Sequence, residues 1–249
     1  MLEQARTELA PTGVLRAGIN LSNFLLVTGK TPEGDPQGVS PDMARAVADR
    51  LGLEVEYLTF DTPGQLADAA VDDIWDIGNI GAETSRAKTI TFTAAYAEIE
   101  ATYLVPAGSS IQAVEEVDRD GVRIAVYGRS AYGLWLSGNI EHAELVKTEG
   151  IDASFDLFVE QGLDALAGLR PRLDDDVEKL PGARILPGQF TAVHQAIGTK
   201  PDRKVAAAFL RDFVEEAKAS GLVADLLKKH GVAGQLTVAP PACSPEAST

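Results

Sequence analysis

Hydrophobic positions in the first part of the chain fall into short runs that alternate in kind. Val14-Leu15-Arg16-Ala17-Gly18-Ile19 is a mostly apolar run bounded by Gly13 and Asn20, the form of a strand covered on both faces. A turn-rich stretch runs from Asn20 through Gly34-Asp35-Pro36 to Gly38. Ser40-Pro41-Asp42 then supplies a capping hydroxyl, a proline for the first helical position and an acid for the first turn. Met43, Ala46, Val47 and Leu51 recur at helical spacing, and Gly52 ends the element where a left-handed cap belongs. Leu53 to Leu58 alternates as a strand, Pro63 to Val71 reads as a helix, and Trp75-Asp76-Ile77-Gly78-Asn79-Ile80 as another buried strand. This βαβαβ order predicts a parallel sheet with right-handed crossovers, whose ligand-binding loops gather at the carboxyl ends of the strands.

The pattern restarts further on. After Ile90-Thr91-Phe92 and the run Glu100 to Val105, strand-like Val122 to Tyr127 leads into a helix from about Ala131. A strand near Leu145-Val146, a helix from Ser154 to Glu160, a strand from Leu163 to Ala167 and an edge piece at Arg184-Ile185-Leu186 follow. These predict a second α/β lobe. Val193 to Ile197 reads as a return strand, and Lys204 to Ala219 as an amphipathic helix with Val205, Phe209, Phe213 and Ala217 on one stripe. The C-terminal helices are expected to rejoin the first lobe, and residues 236–249, with Pro240, Pro241 and Pro245, read as a flexible tail.

Composition narrows the function. A chain of 249 residues, 45% hydrophobic and 24% charged, folds, and is long enough for two modest cores. Its net charge of −15 repels phosphate backbones and anionic bilayers, which argues against nucleic acid as a partner. Cys243 is the single cysteine, so an internal disulfide and a CxxC site are both excluded. No uncharged stretch reaches the roughly 18 residues of a spanning helix, and the opening Met1 to Arg6 is polar, without the apolar core of a secretory signal.

Metal and nucleotide chemistry find little support. His142, His194 and His230 have no partners at ligand spacing, and Asp174-Asp175-Asp176 lacks the glycine and terminal glutamate of a calcium loop and reads as a solvated helix start. Neither a nucleophile elbow nor a glycine-rich phosphate cradle is present, and no cofactor is expected. What remains lies at strand ends. Glu83-Thr84-Ser85-Arg86 follows a buried strand and places a guanidinium where a small anion can be held in a fork. Tyr127-Gly128-Arg129-Ser130-Ala131-Tyr132 ends a strand and opens a helix, whose backbone N–H groups form a seat for a carboxylate or phosphate.

Taken together these segments resemble the family 3 solute-binding proteins, the amino-acid type of the periplasmic-binding-protein superfamily. The resemblance covers about Gly13 to Ala233 and rests on Val14 to Gly18, Gly38-Val39-Ser40-Pro41-Asp42-Met43, Trp75 to Ile80, Ser85 to Tyr96 and Val122 to Ser130. It implies the two-lobed type II α/β fold, each lobe a mostly parallel sheet with flanking helices, with residues 1–104 and 189–249 in one lobe and 105–188 in the other. The crossings fall near Tyr103 to Pro106 and near Pro187 to Gln189. It further implies hinge closure on a small carboxylate-bearing solute, organic acid or amino acid, which a monomeric protein hands to the permease of an ABC-type uptake system. On that reading Arg86 binds the carboxylate with help from the amides near Ser130 and Ala131, while Asn20, Asn23, Phe24, Asn79 and Glu83 line the first-lobe wall and Tyr132 the second.

One position departs from the family. Amino-acid binders carry an aspartate after a second-lobe strand to pair with the ligand ammonium, and Leu169 stands there, followed by Arg170. A pocket with Arg86 and Arg170 suggests a carboxylate without an α-amine, such as a dicarboxylate, while Glu83 remains an alternative amine partner. Two other functions share the scaffold: a dehydratase using Glu83 as its acid, and a cytoplasmic ligand sensor, the latter suggested by the polar start of a chain whose family works in the periplasm.

Overall fold

In chain order the elements are α1 (Leu2–Leu9), β1 (Leu15–Asn20), a ribbon of β2 (Gly29–Lys30) and β3 (Pro36–Gln37), α2 (Val39–Leu51), β4 (Val55–Phe60), α3 (Pro63–Asp68), β5 (Ile77–Gly81), a 3-10 turn at Arg86–Lys88, β6 (Thr91–Phe92) and β7 (Ala97–Val105). The chain continues through β8 (Arg123–Tyr127), α4 (Ala131–Asn139), β9 (Glu144–Thr148), α5 (Ile151–Glu160), β10 (Ala165–Leu169), α6 (Arg170–Val177), β11 (Arg184–Ile185), β12 (Thr191–Thr199), α7 (Lys204–Ala219), α8 (Leu222–Lys229) and β13 (Thr237–Val238). The structure, a computed structural model, describes residues 2–242. Cys243 and the part of the expected tail beyond Ala242 lie outside them. Two units form, one running from the start to Glu98 and again from His194 onward, the other Ile99–Val193.

In the first unit β1 runs parallel to both β4 and β5, with Leu15 opposite Val55 and Ile19 opposite Asn79. β12 joins β5 antiparallel and sets Ile197 opposite Asn79. Trp75 is fully buried between this sheet and α3, and its indole N–H donates to the Leu66 carbonyl at 2.9 Å. Leu66, Ala69, Ile80 and Ile90 complete that core. At the amino ends of β1 and β5 the fully buried Asp76 carboxylate accepts from the Arg16 backbone N–H, from Nε and Nη2 of the same arginine, and from Nη1 of Arg203, all within 2.8–3.0 Å. The bond to Asp76 pushes the Arg16 guanidinium above its ordinary pKa.

α2 starts at Val39 behind Gly38, and no side chain caps it. Ser40 was expected in that role; its hydroxyl is instead buried and shares a 3.2 Å hydrogen bond with the Tyr96 phenol, because the helix begins before it and turns it toward the sheet. Gly52 closes α2 in the left-handed conformation, as the sequence predicts. Asp42, in the first turn, meets Lys229 Nζ and His230 Nε2 at 2.7 Å each, tying the end of α8 to the start of α2. Burial pushes this carboxyl up, but the hydrogen bonds from Lys229 and His230 outweigh burial and hold it below the usual carboxylate range. A depressed folded pKa means stability present above the unfolded value and lost as pH falls through the folded one. Asp42→Asn is therefore expected to lower Tm at pH 7, with the gap to the parent narrowing as pH drops below about 4, read from melting curves across that range.

The segment from 236 was expected to be flexible, yet through Ala242 it is built into the first unit. Thr237 and Val238 pair with Glu98 and Ala97, the buried Ala239 donates its N–H to the Tyr96 carbonyl, and Ala242 donates to Glu215. Available edge positions on β7 outweigh the local proline signal. The stripe of α7 is also turned from the one expected. Ala206, Leu210, Phe213, Val214 and Ala217 are buried, whereas Val205 and Phe209 are half-buried.

The second unit orders its strands β7-β10-β8-β9, with β10, β8 and β9 parallel and β7 antiparallel to β10. β11 lies along β7. Leu104, Ala125, Phe158, Leu163, Leu166 and Leu173 form its core. Phe190 packs its ring in tilted contact 4.6 Å from Tyr103 and 5.6 Å from Trp135 of α4, centroid to centroid. The acidic run was expected as a solvated helix start; Asp174 and Asp175 are exposed, but the helix begins four residues earlier and Asp176 is buried. Inside α6, Asp176 is 1% exposed and paired with Arg172 at 2.9 Å and Lys179 at 2.7 Å. Among the described residues no helix is long and apolar enough to cross a membrane.

Candidate functional site

Parallel strands deliver their following loops to one edge, and the candidate residues gather there within each unit. In the first unit β4, β1 and β5 end at Phe60, Asn20 and Gly81. The Asn20 side-chain carbonyl accepts from the Ser22 N–H at 3.1 Å and its hydroxyl at 2.8 Å, and that of Asn23 accepts from the N–H groups of Leu25 and Leu26 at 3.3 and 3.2 Å. These asparagines shape the loop after β1, and Phe24 sits half-buried within it. Glu83 Oε2 accepts from the Ser85 N–H at 2.7 Å and from the Ser85 hydroxyl, folding the turn that leads to Arg86. Arg86 opens the 3-10 turn, is 5% exposed, and donates from Nη1 to the Gly81 carbonyl at 2.7 Å. The guanidinium is thereby anchored to the last residue of β5. Asn79 lies deeper in the same strand, 2% exposed.

In the second unit β8, β9 and β10 end at Tyr127, Thr148 and Leu169, and a helix starts soon after each. Ser130 caps α4: its hydroxyl accepts from the Gly133 N–H at 2.9 Å and donates to the Tyr127 carbonyl at 2.7 Å. The side chain is used for capping, so what this corner offers is the backbone of Ala131 at the positive helix end. Tyr132 is buried. It lines a small, partly open pocket with Ser154, Leu169, Arg172 and Asp176, and burial pushes its phenol well above the ordinary range. Arg170 begins α6 and bonds Glu100 Oε2 through Nε and the Gly188 carbonyl through Nη2, each at 2.5 Å. Leu169, at the cap of α6, is 7% exposed and makes no capping bond.

Several partners were invisible in the sequence. The Gly81 carbonyl that anchors Arg86 is a backbone atom, and Glu100, which occupies Arg170, is far away in the chain. Gly133 is another, although a glycine three residues after a capping serine is a local signal for tight packing at a helix start. Each histidine faces a carboxylate: Asp120 for His142, Glu98 for His194, Asp42 for His230. No three His, Cys, Asp or Glu side chains converge as a metal site among the described residues.

Two α/β units joined by two chain crossings, with loops at the strand carboxyl ends, make up the two-lobed type II α/β fold. An arginine-binding protein of T. maritima matches with a TM-score of 0.71 at 19% identity, covering 91% of this chain and 99% of that one. A binding component of an ABC transporter from Wolinella succinogenes, complexed with lysine, matches at 0.71 and 17%, covering 88% and 95%. An ancestral amino-acid-binding protein, a precursor of cyclohexadienyl dehydratase, matches at 0.70 and 20%, covering 90% and 98%. The chain belongs to the bacterial extracellular solute-binding proteins, family 3, whose model matches residues 19–233. No curated protein matches it.

Proposed function

We propose that this protein captures a small carboxylate-bearing solute, an organic acid or amino acid, for an ABC-type uptake system in the periplasm, acting as a monomer whose two units close about the crossings at Glu98 and Val193. The observation that carries this reading is Arg86, buried and anchored by the Gly81 carbonyl at the end of a parallel strand in a member of a solute-binding family. A planar guanidinium held in this way suits a carboxylate better than any other common small anion of metabolism except phosphate. The capped start of α4 supplies further N–H donors.

Arginine and lysine, named with two of the similar structures, carry an ammonium beside the carboxylate. In this chain Leu169 offers such a group no charge, and Arg170 is engaged by Glu100, which argues for one carboxylate rather than two. Permease and solute remain the only partners this reading requires.

The test is a thermal-shift and calorimetric screen of carboxylic acids. A ligand in excess of its Kd raises Tm by mass action. Arg86→Ala is expected to weaken the best ligand about 100-fold, since a charge-assisted pair is lost from a desolvated site. An unchanged Tm shift in that variant would overturn the reading. A second reading, elimination chemistry with Glu83 as acid, draws on the likeness to the dehydratase precursor. Glu83 is held by Ser85 as a hydrogen-bond acceptor, which favours binding; product formed from a bound acid would favour the enzyme.

A further inference from the structure

Asn79 is the one residue of β5 whose polarity has no structural use. It is 2% exposed, and neither its amide nitrogen nor its carbonyl oxygen has a hydrogen-bond partner in the protein. A buried amide left in that state costs as much as a lost hydrogen bond, and an apolar residue of similar size would pack there at no such cost. Its strand neighbours on either side, Ile19 and Ile197, are apolar and buried.

Strand alternation says where the amide points. Gly78 and its neighbour Ile80 face Trp75 and Leu66, so Asn79 and Gly81 share the opposite face. Gly81 has no side chain, so nothing of β5 stands between Asn79 and the carboxyl end of the strand, where the Gly81 carbonyl holds Arg86. Gln195, opposite Gly81 on β12 and 4% exposed, is a polar residue on the same face. Two strand residues span about 6.6 Å, the reach of a four-carbon solute.

We propose that Asn79 is a specificity-determining residue that reads a neutral group with both donor and acceptor character, a hydroxyl or a primary amide, on the solute whose carboxylate Arg86 holds. This rests on the carboxylate-binding reading above. A carboxamide presents two donors and an acceptor. A second carboxylate would satisfy only the donors and an ammonium only the acceptor, whereas a hydroxyl or amide serves both. A site built around a buried hydrogen-bonding pair rejects an analogue that lacks the group far more strongly than an apolar pocket rejects an extra methylene.

The experiment compares butyrate, 4-hydroxybutyrate, succinamate and succinate, with homologues of three to six carbons, by calorimetry on the full chain. The hydroxyl and amide compounds are expected to bind at least about tenfold more tightly than the others. Asn79→Leu is expected to fold, to melt no lower than the parent, and to erase that preference while keeping carboxylate binding. Asn79→Ser, whose polar atom is drawn back by about one carbon, should keep the preference and move the best chain length up by one. If Asn79→Leu retains the parental order, or the parent shows none, the role of Asn79 is overturned while the carboxylate reading stands. If the parent binds no carboxylate of any kind, both fall.

Discussion

Replacing Gly133 by alanine is expected to destabilise the protein by at least about 3 kcal/mol, because the added methyl has nowhere to go. A Cβ at that position would stand 2.1 Å from the Tyr127 carbonyl and 3.0 Å from Ser130 Oγ. Both are fixed points: Tyr127 ends β8, and the serine hydroxyl bridges its carbonyl to the Gly133 N–H. Accommodating the methyl means pushing α4 off the end of β8, which also dismantles the N–H seat proposed for the solute. A drop in Tm of roughly 6–12 °C follows for a chain of this size. Gly138→Ala, in the same helix, is the control. Nothing lies within 4 Å of its Cβ, so it should be neutral or stabilise by up to about 1 kcal/mol. Equal effects of the two substitutions would show that helix propensity, and not the contact with Tyr127, governs this corner.

Asp76→Ala is expected to cost about 3–5 kcal/mol, since it strands two guanidinium groups around a buried hole. Arg203 is 9% exposed and the Arg16 side chain 17%, and Asp73 remains to neutralise only the outer part of the cluster. Because the pair is buried, the loss should survive in high salt. Arg50 and Glu216, whose side chains are more than half exposed, form the contrast: Arg50→Ala should change stability by less than about 1 kcal/mol, and salt should erase even that. Chemical denaturation of both variants at low and high sodium chloride checks the pair of expectations. Solute binding should be largely spared in Asp76→Ala below its melting point, since Asp76 precedes β5 and Arg86 follows it.

What the sequence disclosed, and what it hid, follows from the range of the interactions concerned. The helix Lys204–Ala219 was readable to the residue because its periodicity is local, yet its buried stripe was misjudged: α1, which packs on it through the first residues of the chain, selects the face. α6 was read as starting at Asp174, four residues late, because Arg170 to Val177 has almost no apolar stripe to mark where it begins. Pro171 near its start and the four-residue spacing of Arg172 and Asp176 hold it instead. Strand-end placement of Arg86 and Ser130 was legible from the βα alternation. The pairing of Arg170 with Glu100 was not, since it depends on an antiparallel register that sets Leu169 opposite Ala101. The orphaned amide of Asn79 was equally hidden; an asparagine inside a buried strand is visible in the sequence, but the absence of a partner is a property of everything around it.

The division of the chain has a consequence for biosynthesis. The second unit is continuous, and every strand of its sheet has been synthesised once residue 193 is made. The first unit begins earlier and finishes later: β5 waits for β12, the start of β7 waits for β13, and α1 waits for α7. A nascent polypeptide truncated before Lys204 should therefore carry one protease-resistant body and a vulnerable leading half, and the order of translation is the reverse of the order of completion.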